Sequence, residues 1–347
     1  MDFSIFNTLT PDKGSYLRDE SGKKYQDLTS GGGLFPLGYD GVSITGDFPP
    51  AASEKELDRL SARISSKLQN KYRFIFFQDK STALSVLSEF LSSRTDAVYC
   101  CEPSLLKLFP GSRFYYPWTC ESCSLRPDTC GAFCTTRLDQ ELDFLKIDRT
   151  RFTLMASFLR DFPVAQLPDT YAKYLSGKKS LLIFDEADFF QQTGTLFSFE
   201  NGPFPDLIMG GESWGNGLPF YFLGIGSHLK SDCLISVPVS PQIIRRVEQN
   251  LEIASQQDLE HKIVFFSHKL NLLRDCAITG LYSSGLFALL VMDREKQEKV
   301  LDKCRNYGLI VAIDHFGRGI RLSPMLTSSE EEIAQGIDIL REIFSKI

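Results

Sequence analysis

The sequence predicts an α/β protein: a mostly parallel sheet flanked by helices in a large domain, joined to a small α+β C-terminal domain. Three observations carry this expectation. Between about residues 51 and 240, short apolar runs that end in polar residues or glycine alternate with segments of helical spacing. From about Pro241 the pattern changes to long polar–apolar helices around a few strands. The chain of 347 residues, 43% hydrophobic and 24% charged, can bury a large core and one smaller one. Residues 1–50 then form an N-terminal segment packing with the small domain, residues 51–240 the large domain and residues 241–347 the small one.

Taken in order, Tyr16 to Leu28 contains two short alternating runs around Ser21-Gly22, a β-hairpin signal. Ser30-Gly31-Gly32-Gly33 follows, and composition favours a flexible turn over a backbone approach to a ligand. Arg73 to Phe77 reads as a buried strand, Ser81 to Leu91 as a helix, and Ala97 to Cys100 as another strand. Phe152 to Ala156, Ser180 to Phe184 and Leu207 to Met209 are three more strands. Later come a strand at Leu286 to Met292, a helix from Glu295 to Tyr307 and a strand from Leu309 to Ile313. A final helix is capped by Ser328 or Ser329 ahead of Glu330-Glu331-Glu332.

Charge and composition exclude several classes of function. A net charge of −6 with scattered Lys and Arg gives no basic field for nucleic acid. The longest apolar runs fall well short of the roughly 20 residues of a spanning helix, so no membrane role is expected. The opening Met1-Asp2-Phe3-Ser4 lacks a signal-peptide pattern, and a cytoplasmic location is expected.

Ligands of open α/β sheets collect at the carboxyl ends of strands. Phe184-Asp185-Glu186-Ala187-Asp188 places carboxylates at one such end. A buried carboxylate there needs a partner, either a protonated heteroaromatic nitrogen or a divalent metal shared by Asp185, Glu186 and Asp188. The plain alternative is a solvated strand end. A second constellation, Cys120, Cys123, Cys130 and Cys134, could close a tetrahedral thiolate site for zinc or hold an iron–sulfur cluster, although its spacing departs from that of common zinc ribbons, and the plain alternative is a loop of free thiols. Cys100 and Cys101 read as small buried residues, and His228, His261, His268 and His315 stand isolated. Phe189-Phe190 and Phe265-Phe266 read as core aromatics.

The acidic strand end continues into Thr193-Gly194-Thr195-Leu196-Phe197-Ser198-Phe199-Glu200, Pro205-Asp206-Leu207-Ile208-Met209-Gly210-Gly211 and Gly215-Asn216-Gly217-Leu218-Pro219. This order resembles the core block of the class III pyridoxal-phosphate-dependent aminotransferases. That family reads Asp-Glu-Val-Gln, Arg-Thr-Gly-x-Leu-Phe-Ala-x-Glu, Pro-Asp-Ile, a lysine and Gly-Gly-Gly-x-Pro. The Tyr16 to Leu28 hairpin with Leu37-Gly38-Tyr39, and the stretch from Ile320-Arg321-Leu322-Ser323-Pro324 to Ile333, resemble its two ends. The resemblance covers most of the chain except roughly residues 95 to 150. It implies a fold type I architecture, a homodimer, pyridoxal phosphate as cofactor, Asp185 facing the pyridine nitrogen, and Arg321 holding a substrate carboxylate. Lys80, Ser81 and Thr82 fall where the phosphate would be held.

The departures from the family cluster around that cofactor. Glu212 stands at the position of the family's lysine, and a carboxylate forms no imine. Asp79 opens the helix that would hold the phosphate, and Gln192 replaces a basic residue before Thr193. No aromatic-His-Gly stretch covers the ring, although Tyr115 or Tyr116 could stack there. The leading expectation is an aminotransferase homologue without transaminase activity, a pseudoenzyme that binds a small carboxylate or amine metabolite or a protein. The alternatives are an enzyme using non-covalent pyridoxamine or pyridoxal phosphate with Glu212 as base, and a metal protein built on the cysteine cluster.

Overall fold

A computed structural model describes residues 8–40, 51–100, 113–114, 152–156, 180–187, 189–200, 204–230, 234, 237–274, 278–314 and 317–347. The N-terminal segment carries β1 (Thr10–Pro11), β2 (Tyr16–Arg18) and β3 (Lys24–Asp27), with β2 and β3 paired antiparallel as the expected hairpin. The next stretch runs α1 (Glu54–Lys67), β4 (Tyr72–Phe77), α2 (Lys80–Ser92), β5 (Ala97–Cys100), β6 (Arg113–Phe114), β7 (Phe152–Ala156), β8 (Ser180–Glu186), β9 (Leu207–Gly210) and β10 (Tyr221–Gly226). After it come α3 (Pro241–Ser255), α4 (Leu259–Asn271), β11 (Gly280–Ser284), β12 (Phe287–Val291), α5 (Arg294–Asn306), β13 (Leu309–Ile310), β14 (Ala312–Ile313), β15 (Gly319–Leu322) and α6 (Glu330–Phe344).

Seven strands form the large sheet in the order β4-β10-β9-β8-β7-β5-β6. Strands β9, β8, β7, β5 and β6 pair in parallel, whereas β10 runs antiparallel to both neighbours, so β4 points the same way as β8 and β9. The sheet is α/β and mostly parallel, as its apolar runs predict. Alternate residues on each strand enter different cores. Phe74, Phe76, Phe184, Ile208 and Phe222 pack on one face with Leu60 and Ile64 of α1. Ile75, Phe77, Ile183, Met209, Tyr221 and Leu223 pack on the other with Leu84, Leu87 and Phe90 of α2. A sheet covered on both faces explains why its strands read as unbroken apolar runs.

Two smaller sheets follow the orders β1-β2-β3-β13 and β11-β12-β15-β14. The single strand expected from Leu309 to Ile313 is therefore corrected. Leu309 and Ile310 pair in parallel with Gln26 and Asp27, while Ala312 and Ile313 pair with Arg321 and Ile320 in the other sheet. Val311 is the hinge residue between the two ladders, and a continuous apolar run conceals that change of partner.

The helix caps follow the local chemistry. Ser53 and Glu56 form a reciprocal capping box on α1, and Ser329 with Glu332 does the same on α6. Ser329 rather than Ser328 is thus the cap of the last helix.

Candidate active site

The carboxyl ends of β4, β8 and β9 open on the same edge of the large sheet. From β8 come Asp185 and Glu186, which continue the ladder opposite Met209 and Gly210, so the strand is two residues longer than its apolar run. Both are buried. Asp185 Oδ1 accepts the Ala187 amide at 3.0 Å. Alternation along β8 puts Glu186 on the opposite face, where its carboxylate accepts the Ser198 amide at 2.8 Å and the Ser198 hydroxyl. Burial pushes Glu186 up to about 7 against those hydrogen bonds, with the Asp185 and Glu200 charges adding to the rise.

From β4 the chain passes through Gln78 into α2, whose cap is Asp79. Its carboxylate accepts both the Thr82 amide and the Thr82 hydroxyl at 2.8 Å, and these bonds hold it below the usual carboxylate range. The Thr82 donors at this helix end are thus engaged by the chain itself. Lys80, the first residue of α2, reaches across to β9's exit and lies 3.3 Å from Glu212 Oε2. The two side chains are 29% and 30% exposed, a half-buried ion pair joining strand ends on either side of β10.

The loop carrying Glu212 is rigidly seated. Gly211 and Gly217 have φ of +115° and +91°, and a Cβ on Gly217 would come within 2.4 Å of the Phe35 ring. Asn216, at φ 45°, accepts the Leu37 amide at 3.1 Å and donates to the Gly38 carbonyl at 3.0 Å. Trp214 is fully buried against Phe190, Phe197 and Phe222. The neighbouring segment is held by Asp27, which accepts Thr29 N–H, Thr29 hydroxyl, Gly31 N–H and Tyr39 hydroxyl at 2.6–2.7 Å. Ser30 to Gly33 is therefore a buried turn with positive φ at every residue, tied down rather than flexible.

Comparison with known proteins agrees with this architecture. No family model matches the chain. Over 97% of its length the chain is 24% identical to the acetylornithine aminotransferase of Lactococcus lactis subsp. lactis (strain IL1403), covering 96% of that protein. The chain is an aminotransferase homologue. Among solved structures, this homologue resembles an S-selective transaminase from Arthrobacter sp. (TM-score 0.76, 14% identity, 100% of this chain and 95% of that one). It also resembles an aminotransferase of Bacillus anthracis (TM-score 0.74, 17% identity, 98% and 93%) and the N-acetylornithine aminotransferase of Stenotrophomonas maltophilia K279a (TM-score 0.72, 16% identity, 98% and 95%). The resemblance to the class III family and its fold type I architecture, drawn from sequence blocks, is supported over nearly the whole homologue.

Of the residues singled out from the sequence, the structure brings Lys80 to Glu212 and sets Thr82 under Asp79, with Ser81 beside them in the first turn of α2. Arg321, on β15, is 2% exposed, and its guanidinium lies 5.4 Å from the Phe189 ring and 5.3 Å from the Phe287 ring. Phe189 and Phe190 are core aromatics, as is Phe266, while Phe265 packs at the margin. Gln192 is buried and its carbonyl oxygen accepts the Phe190 amide through the side chain. His228 pairs with Asp206 at 2.7 Å and His261 with Glu330 at 2.6 Å, both largely exposed. Cys120, Cys123, Cys130 and Cys134 lie outside the described residues, as do Cys101, Tyr115, Tyr116, Asp188 and His315. Among the described residues no group of three His, Cys, Asp or Glu side chains is arranged to hold a metal, and no helix is long and apolar enough to cross a membrane. Asp27 and Asn216 were not singled out. The signal for Asp27 is an acidic residue two before a threonine and a glycine run, a local side-chain turn.

Proposed function

We propose that this aminotransferase homologue does not carry out lysine-dependent transamination and that its strand-end pocket or dimer surface binds a small metabolite or a protein partner. The observation that carries the reading is the Lys80–Glu212 ion pair at 3.3 Å: a carboxylate occupies the position of the family's lysine, and the neighbouring cation neutralises it. Pyridoxal phosphate supplies an electron-withdrawing ring that stabilises negative charge on a substrate carbon. Asp185 is a buried carboxylate suited to such a ring's nitrogen. The other positions do not fit the family's mode of holding it. Residue 212 has no amine, and the Asp79 carboxylate takes the Thr82 donors that would meet a phosphate and repels a second anion. A homodimer and a cytoplasmic location belong to the same proposal.

The test is retention of the cofactor. Protein incubated with excess pyridoxal phosphate and passed through gel filtration is expected to emerge without near-ultraviolet or visible absorbance from bound cofactor, and without amino transfer from any of a panel of amino acids. Stoichiometric retained cofactor overturns the proposal. Retained pyridoxamine phosphate that reacts with a keto acid would instead establish the second reading, favoured by the carboxylate of Glu212 at this edge acting as base.

A further inference from the structure

We infer that a cleft between α1, residues 191–200 and the α3–α4 junction binds a free amino acid with an apolar side chain. The cleft has a volume of about 610 Å³, inside the roughly 300–1,000 Å³ range of small-molecule sites. Asp79, Lys80, Asp185 and Glu212 are not among its lining residues, so it is separate from the strand-end site.

Its floor is apolar. Ile64, Leu251, Ala254 and Leu259 are buried, and Leu196 is partly buried against the same core. Charges of both signs stand around that floor. Arg63 is already committed to Glu252 at 3.5 Å and to the Glu248 carbonyl at 3.4 Å. Lys67, one turn further along α1, makes no hydrogen bond or ion pair among the described residues, and neither does Glu260 of α4. Glu200 is half-buried, and one of its carboxylate oxygens accepts the Phe197 amide at 2.9 Å. Burial raises its pKa, while the Phe197 and Leu196 amides and the Lys67 charge act against the rise, so Lys67 lies within electrostatic reach of it. Asp258 caps α4 by accepting the His261 amide at 3.2 Å and offsets the positive end of that helix.

This pattern selects a dipolar molecule. A simple amine meets Glu200 and Glu260 but also the Lys67 ammonium, and a simple carboxylate meets Lys67 but also three acids. An amino acid sets its carboxylate on Lys67, its ammonium on Glu200 and Glu260, and its side chain on the floor. The segment that lines the cleft also touches the β11–β12 hairpin. The Leu286 amide donates to the Gln192 carbonyl at 2.6 Å, and the Phe189 ring meets Phe287 edge-on at 5.7 Å. An occupant therefore braces the joint between two sheets, and its binding raises the thermal midpoint.

Equilibrium dialysis of the whole protein against radiolabelled L-leucine is expected to show one saturable site per chain. Leucinamide, which lacks the carboxylate, and isocaproate, which lacks the amine, are each expected to compete about tenfold more weakly or worse. Glycine, which cannot cover the floor, is expected to do the same. Lys67→Gln is expected to weaken leucine about tenfold and to leave leucinamide unchanged, a split that a general loss of structure would not produce. Ser255→Trp fills the cleft from an exposed position whose hydroxyl bonds only to the Glu252 carbonyl of its own helix, and it is expected to abolish binding with the circular dichroism unchanged. Glu212→Ala is expected to bind leucine normally; loss of binding there would put the ligand at the strand ends and overturn the inference. Absence of saturable binding at millimolar leucine overturns it as well, as does equal competition by leucinamide or undiminished binding by Ser255→Trp.

Discussion

Two carboxylates each stand beside a glycine-rich turn, Asp27 ahead of Gly31 to Gly33 and Glu212 ahead of Gly215 to Gly217, and their surroundings differ in kind. Asp27 is fully buried and its two oxygens accept four hydrogen bonds, which order the turn and fix Tyr39. Burial still raises its pKa, so the network is compensation for a costly position. Glu212 lies 3.3 Å from the Lys80 ammonium and keeps about a third of its surface in solvent. The first carboxylate is needed for the fold; the second is held at little cost.

The sharpest way to break that contrast is Asp27→Ala. It strands two amides and two hydroxyls in the interior, and urea titration is expected to show a loss of about 4 kcal/mol. A cost no larger than that of altering Glu212 would remove the distinction.

Glu186 extends the comparison to pH. Its folded pKa of about 7 lies above the ordinary 4.5, so the folded state binds the proton more tightly. Stability from this group is complete below about 4.5 and is lost as pH rises through about 7, a change of about 3 kcal/mol across the window. Thermal midpoints of the unaltered protein should fall between pH 5 and pH 8 more than those of Glu186→Gln, which keeps an acceptor for the Ser198 amide and carries no charge.

Asn216→Ala is expected to cost about 1–2 kcal/mol, since it removes two part-buried hydrogen bonds to residues 37 and 38. The smallest effect belongs to Glu212→Ala. Lys80 stays partly hydrated, so the loss should be under about 1 kcal/mol by denaturant titration.

The strands of the large sheet were legible because burial on both faces leaves apolar runs that need no alternation, and the order of short motifs from Asp185 to Pro219 made the family resemblance legible too. Helix α1 is more polar and carries no comparable apolar run, although Ser53 and Glu56 spell its capping box. At the site, Glu212 was found by counting along the chain. Its pairing with Lys80 was not, because charge complementarity across 132 residues leaves no periodic trace. The same limit hid the division at Val311: Leu309-Ile310 and Ala312-Ile313 share one hydrophobic pattern while answering to different sheets.

That division has a consequence for biosynthesis. Strand β3 is finished at Asp27, yet its parallel partner is Leu309–Ile310, and Val311 leads directly into the sheet containing β15. During translation the N-terminal hairpin waits with an open edge until nearly the whole chain has emerged, since parallel pairing over so long a separation cannot form early. One short segment then closes two sheets together. Synthesis that stops ahead of Leu309 leaves both unfinished, so strand β3 meets its partner only late.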